Sequence, residues 1–310
     1  MGCTALKAKE DFHEKYSLGA KIGEGSCGQV RVVWPKVAKE AKAVKVLSLL
    51  DQRRLEAARR ELILWRQAGR HPHCVELVEA FVGGNFCFMV MEKCDASLMD
   101  SLEEMELLPQ AGIARLFRQM AKGLAHVHAR CIVHRDVKPD NFLLGAGEPR
   151  TVKICDFGMS ALVPKRAGEL LTGCYGTAPY MSPEMISKRG HLQSTDVWSF
   201  GATAYVLLYG DFPFTPADGS SDAMKLAVLA GVPEPRFARK APGVCGQPSK
   251  TASGFVRAVL ERDPAQRSTI QEVQRLPFLQ EEAPKVACSE ASGGRIVGSL
   301  SQRWSRLGGA

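Results

Sequence analysis

The chain has 310 residues, 45% hydrophobic and 24% charged, with a formal net charge of +8. That length holds one large two-lobed unit or two small domains, and the composition is ordinary for a globular protein. No apolar run is long enough to span a bilayer, Met1–Glu10 has no apolar core of a secretory signal, and the positive excess lacks the aromatic-interleaved basic stripe of a nucleic-acid partner.

Residues 1–15 are polar and lysine-bearing and read as an N-terminal arm. Met1-Gly2-Cys3 resembles the start of doubly acylated proteins, which implies membrane association through Gly2 and Cys3; Leu6 departs from the Ser or Thr preferred there, and an unmodified arm is the alternative. From Tyr16 to Glu92, strand-like runs at Leu18–Ile22, Gln29–Val33, Ala43–Leu47, Val75–Val82 and Phe86–Met91 surround one helix near Leu55–Trp65. Arg53, Arg54, Arg59 and Arg60 fall in that helix and read as a solvated face. After a junction near Glu92–Ala96 the pattern turns helical, at Ile113–Arg130, Thr195–Tyr209 and Ala252–Glu261. The apolar stretch Gly201–Leu208 reads as a buried helix. Past Leu279 the chain turns Glu-, Ser- and Gly-rich, so residues 280–310 read as a flexible tail. The fold class is therefore α+β, with a small β-rich lobe over 16–92 and a larger helical lobe over 97–279.

The ten cysteines form no Cys-x-x-Cys and no paired spacing. Reduced thiols in a cytoplasmic compartment are expected, with Cys27, Cys87, Cys94, Cys131 and Cys155 buried in apolar segments.

Candidate chemistry begins at Ile22-Gly23-Glu24-Gly25-Ser26-Cys27-Gly28-Gln29-Val30, a G-x-G-x-x-G-x-V segment. Glycines let backbone N–H groups approach phosphate oxygens. A plain turn or a dinucleotide-binding turn gives the same spacing, but the latter needs a helix next, and Gln29–Val33 looks like a strand. Ala43-Val44-Lys45 sets a lysine in an apolar strand, where it needs an anion. Glu61 on the following helix is its candidate partner, with Glu56 as rival.

His134-Arg135-Asp136-Val137-Lys138-Pro139-Asp140-Asn141 resembles the catalytic loop of eukaryotic protein kinases, and Asp156-Phe157-Gly158 their metal loop. Gly176-Thr177-Ala178-Pro179-Tyr180-Met181-Ser182-Pro183-Glu184 and Asp196-Val197-Trp198-Ser199-Phe200-Gly201 match two further segments in the family's order. The resemblance covers about Tyr16–Leu279 and implies the two-lobed protein kinase-like fold, ATP and Mg²⁺ as cofactors, and protein substrates. Phosphoryl transfer needs in-line positioning and charge cancellation. Asp136 is then the catalytic base, Lys138 neutralises the transferring phosphate, and Asn141 and Asp156 are metal ligands. Ile22, Gly23, Gly25, Gly28, Val30, Ala43, Lys45, Glu61, Met91, Glu92, Cys94 and Leu143 are the implied nucleotide-binding set. Glu92 and Cys94 offer backbone groups to adenine, and Met91 gates the back of the pocket. His134, Asp196 and a Glu184–Arg267 pair are implied as scaffolding.

Lys138 and Gly176-Thr177 are of the serine/threonine type. Within it, Asp156–Ser160 and Tyr205–Gly210 with Pro213-Phe214 look most like calcium/calmodulin-dependent and calcium-dependent kinases. Asp140 suits basic substrates, whereas Leu98 and Val206 stand where such kinases commonly carry acids. No D-x-D-x-D-G calcium loop occurs. Arg135 implies an activation-loop phosphate supplied by an activating kinase, with Thr172 preferred over Tyr175. Val297, Leu300, Trp304 and Leu307 among arginines suggest a calmodulin-like partner at the tail. A pseudokinase scaffold is the alternative function.

Overall fold

The apolar runs between Tyr16 and Glu92 pair into one antiparallel sheet in the computed structural model, which describes residues 11–25, 28–104, 109–147, 150–237 and 247–281. Gly2, Cys3, Ser26, Cys27 and the tail residues Val297, Leu300, Trp304 and Leu307 lie outside the described residues. A first helical turn, α1 (Phe12–Lys15), precedes β1 (Tyr16–Gly25), β2 (Gly28–Pro35) and β3 (Lys42–Ser48). Helix α2 (Gln52–Ala68) then leads to β4 (Leu77–Gly83) and β5 (Phe86–Glu92), and the sheet runs β1-β2-β3-β5-β4. All five expected strands form. β1 extends further than expected because its ladder with β2 runs from Tyr16↔Pro35 to Gly25↔Gly28.

Helix α2 starts where the Asp51 carboxylate accepts the Arg54 N–H at 2.9 Å. It buries Ala58, Glu61, Leu62, Trp65 and Ala68 and leaves Arg53, Arg54, Arg59 and Arg60 in solvent, as the sequence suggested.

Residues 11–15 correct the expectation of an arm through residue 15. The Asp11 carboxylate caps α1, and Phe12 is only 2% exposed. Its ring stacks on Phe88 with centroids 4.2 Å apart and meets Tyr16 and Phe81. The physical reason lies in the sheet: Tyr16, Val33, Val44, Val46, Phe81, Phe88 and Val90 make its outer side apolar, and Phe12 covers them.

Beyond β5 come β6 (Ala96–Ser97), α3 (Leu98–Glu104), α4 (Gln110–Ala129), β7 (Ile132–Val133), β8 (Phe142–Leu144), β9 (Val152–Ile154) and β10 (Ala161–Leu162). Helices α5 (Pro183–Ile186), α6 (Ser194–Tyr209), α7 (Ser221–Ala230), α8 (Lys250–Val259), α9 (Ile270–Val273) and α10 (Pro277–Gln280) complete the larger lobe. Helix α6 is buried on nearly every side, including Trp198 and Phe200, which accounts for its continuous apolar run. Among the described residues no helix is long and apolar enough to cross a membrane.

The cysteine expectation holds for Cys87, which is buried, whereas Cys94 and Cys155 are half-buried. Cys131 is a correction. It sits in the left-handed turn after α4, at φ 57°, and is exposed. Burial pushes the Cys87 thiol up to about 11 and Cys94 to about 12, so both stay protonated at neutral pH.

The lobes are pinned by the loop between α2 and β4. The His73 carbonyl accepts the Ile154 N–H and the Val75 N–H donates to the Ile154 carbonyl, each at 2.9 Å. His126 of α4 bonds the Ala68 carbonyl at 2.7 Å and stacks on His71 with centroids 4.3 Å apart. Burial, with His126, His73, Lys122 and Lys153 nearby, pulls the His71 pKa down to about 4. The folded state then binds fewer protons than the unfolded chain between pH ~6.5 and pH ~4, so His71 costs stability as pH falls through that window. Discounted for its partial exposure, the expected loss at pH ~5 is about 1 kcal/mol. Urea melts at pH ~7.5 and pH ~5 should show it, and His71→Phe should shrink it; an unchanged pH slope in that variant would refute the assignment.

Candidate active site

The catalytic-loop segment follows β7 and is braced from inside the helical lobe. Asp196, in the first turn of α6, is fully buried. Its carboxylate accepts the backbone N–H groups of His134 and Arg135, each at 2.8 Å, and the His128 ring N–H at 2.8 Å. Burial alone would raise its pKa; His128 and the loop outweigh that and hold it below the usual carboxylate range. The His134 ring bonds the Cys155 carbonyl at 3.0 Å and packs on Phe157, a bracing position.

Asp136 is the centre of a polar cluster. One carboxylate oxygen accepts the Asn141 amide at 3.0 Å and lies 3.3 Å from Lys138 Nζ. The other accepts the Thr177 hydroxyl at 3.2 Å, while Lys138 donates to Thr177 Oγ1 at 2.9 Å. Two segments 41 positions apart in sequence, 136–141 and Thr177, therefore converge on one carboxylate. The sequence reading did not single out Thr177 as a site residue. Its signal is the Gly176-Thr177 pair, which marks the family and the serine/threonine type without assigning the hydroxyl a contact.

Lys45 comes from β3, an inner strand between β2 and β5. Its ammonium lies 2.7 Å from Glu61 Oε1 and 2.8 Å from Asp156 Oδ1. Glu56, the rival, is exposed and takes the Gln52 amide at 3.0 Å. Burial would lower the Lys45 pKa, but the two carboxylates win and raise it. Asp156 is held ionised against its own burial by Lys45 and by the Gly158 N–H. Glu61 is 3% exposed, and its burial raises its pKa against the pull of Lys45.

The nucleotide-lining candidates fall on one hairpin, one strand and the floor beneath. Gly23↔Val30 and Gly25↔Gly28 pair across the hairpin, and Val30↔Lys45 and Ala43↔Met91 continue the register inward. Gly28 is required as glycine, because a Cβ there would run into the Val46 carbonyl. Ile22 is exposed on β1, Met91 is buried, and Cys94 and Leu143 pack at the edge of the core. Of these candidates Gly28 and Glu61 line a cavity of about 460 Å³, together with Val46, Ala58 and Gly158; Lys45 and Met91 do not line it. Glu92 departs in part from its expected role. Its N–H donates to the Glu76 carbonyl at 3.0 Å and its carboxylate holds Lys153 at 2.9 Å, so that donor is not free for adenine.

Asn141 and Asp156 supply hard oxygens of the kind Mg²⁺ takes. Asn141 spends its amide nitrogen on Asp136, leaving its oxygen, and Asp156 keeps its second oxygen beyond Lys45 and Gly158. Two such ligands fit a Mg²⁺ that completes its shell with phosphate and water oxygens.

Two other expectations concern the loop after Gly158. Glu184 and Arg267 do pair, at 2.6 and 3.1 Å. Arg135, expected to wait for a Thr172 phosphate, is already engaged. It donates to the Met159 carbonyl at 2.6 Å and the Ser160 carbonyl at 3.3 Å, and its guanidinium lies 3.9 Å from the Tyr175 ring centre. Thr172 is exposed.

Comparison with known proteins agrees with this arrangement. Mouse serine/threonine-protein kinase DCLK3 is 30% identical over 273 residues, covering 87% of this chain and 33% of its own length. Human ribosomal protein S6 kinase alpha-1 is 28% identical over 301 residues, covering 96% and 40%. Arabidopsis thaliana mitogen-activated protein kinase kinase 2 is 33% identical over 264 residues, covering 83% and 70%. The chain thus spans only about a third to two fifths of the first two relatives. The protein kinase domain family matches residues 16–279, the stretch that carries both lobes and every segment converging on Asp136 and Lys45, and the chain belongs to that family.

Proposed function

We propose that this chain is a serine/threonine protein kinase that moves the γ-phosphate of ATP onto a protein hydroxyl. The observation that carries the reading is the Lys45 ammonium seated between Glu61 and Asp156, one on each lobe. A lysine so held is fixed for triphosphate oxygens, with its own charge secured by two carboxylates. Asp136 orients an incoming hydroxyl and takes its proton. Lys138, 3.3 Å from Asp136 and bonded to Thr177, places a second positive charge where the transferring group carries negative charge. Asn141 and Asp156 would hold Mg²⁺, which when bound offsets the phosphate charge. Thr177 ties the peptide-binding side of the cleft to the catalytic carboxylate.

The test is incorporation of labelled phosphate from Mg²⁺-ATP into generic protein substrates, followed by phosphoamino-acid analysis. Phosphoserine and phosphothreonine are expected. Lys45→Met should cut incorporation about 10²–10³-fold, the scale of losing one charge-stabilising donor. No incorporation by the parent protein would favour the scaffold reading, and phosphotyrosine alone would overturn the assigned class.

A further inference from the structure

Arg135 sits immediately before Asp136, in the left-handed region at φ 65°, and is 9% exposed. A guanidinium so buried needs its donors and its charge satisfied. Two backbone carbonyls just past the Asp-Phe-Gly segment, Met159 and Ser160, take N–H groups. The face of the guanidinium is covered by Tyr175 at 3.9 Å, close cation–π range. Burial, with Arg60 of α2 nearby, lowers the Arg135 pKa, opposed by Tyr175 and Asp196.

The loop is shaped to hold that ring. Gly173 has φ 94°, and a Cβ there would stand 2.5 Å from Tyr175 Cε2, so the ring occupies the space a side chain would take. The Tyr175 N–H points at Met185 Sδ, 3.4 Å away. Two residues before Gly173, Leu171 and His191 exchange backbone bonds at 3.1 and 2.9 Å. The segment is thus tied at Met159–Ser160, at Leu171 and at Tyr175, and the first and last ties meet on one arginine.

We propose that Tyr175 is a positioning residue: its ring caps Arg135 and holds the activation segment in its working arrangement with no phosphate on Thr172. The inference rests on the kinase reading, because positioning is measured against a reaction.

The experiment compares phosphatase-treated parent protein with Thr172→Ala, Tyr175→Phe and Tyr175→Ala. It reads kcat, the KM for ATP, and hydrogen exchange over residues 159–176. Tyr175→Phe keeps an aromatic face and should stay within about twofold of the parent, as should Thr172→Ala and the dephosphorylated parent. Tyr175→Ala should lose about tenfold in kcat, equivalent to about 1.4 kcal/mol, with the KM for ATP unchanged and exchange faster across 159–176. The side chain is 37% exposed and lies outside the buried core clusters, so the alanine variant should fold. A tenfold loss on dephosphorylation or in Thr172→Ala overturns the proposal, as does a Tyr175→Ala protein with parental kcat and exchange. A parent inert under every treatment defeats the kinase reading instead, and the exchange comparison still decides whether Tyr175 holds the segment.

Discussion

An Asp136→Asn protein is expected to bind Mg²⁺-ATP like the parent and to transfer phosphate about 10²–10⁴-fold more slowly, the range for loss of a positioned base. Asparagine keeps the shape and one oxygen acceptor. The Asn141 amide, now at 3.0 Å from a carboxylate oxygen, retains a partner, and the Asn141 bond to the residue 136 carbonyl at 2.7 Å is untouched. The Thr177 hydroxyl can rotate to accept what it now donates. What disappears is the negative charge beside Lys138 and the capacity to take a proton. Single-turnover transfer measured with a separate nucleotide-binding titration distinguishes the two losses. A variant within threefold of the parent rate would remove Asp136 from the chemistry, and a variant that no longer binds nucleotide would make its role structural.

Arg267→Ala is expected to cost about 3–5 kcal/mol, the range for stripping one partner from a buried ion pair. Arg267 is 4% exposed, and its guanidinium holds Glu184 with two bonds, at 2.6 and 3.1 Å. It also donates to the carbonyls of Glu261 at 2.7 Å, Ser194 at 2.8 Å and Arg262 at 3.3 Å, with Trp198 stacked nearby. Truncation leaves a buried carboxylate and three carbonyls without their donor. For a domain of this size the thermal midpoint should fall by roughly 10 °C. Arg267→Lys should recover little, because an ammonium cannot supply the planar fork that meets both carboxylate oxygens. Denaturant melts that place Arg267→Ala within about 1 kcal/mol of the parent would show that the pair adds nothing net.

Much of this was legible in the sequence, for reasons visible in particular residues. Lys45 announced itself by standing in an apolar strand. Glu61 could have been separated from Glu56 by spacing alone: it lies on the stripe Ala58, Glu61, Leu62, Trp65 that faces the core, and Glu56 does not. The segments expected to carry the catalytic aspartate and the metal ligands were readable because the chemistry expected of them tolerates few residue types. Other features left no periodic trace. Phe12 is one apolar residue among polar ones, and its burial depends on a sheet face assembled from five strands. β6, β7 and β10 have two residues each and β8 and β9 three, too short to alternate detectably. The Arg135–Tyr175 contact joins residues forty positions apart through a turn whose shape is set by Gly173, so it was invisible until the loop was folded. Cys131 was misread because its apolar neighbours say nothing about a left-handed turn that aims the side chain outward.

The docking of Phe12 also fixes the side of the sheet on which α1 sits. Successive side chains of β3 point to opposite sides, so Val44 and Val46, which Phe12 helps to cover, face away from Lys45. Asp11, which caps α1, therefore lies on the rear of the small lobe, across the sheet from Lys45. A surface coupled to the cysteine of an Asp11→Cys variant would hold the molecule by its back and leave the mouth of the cleft open to solvent.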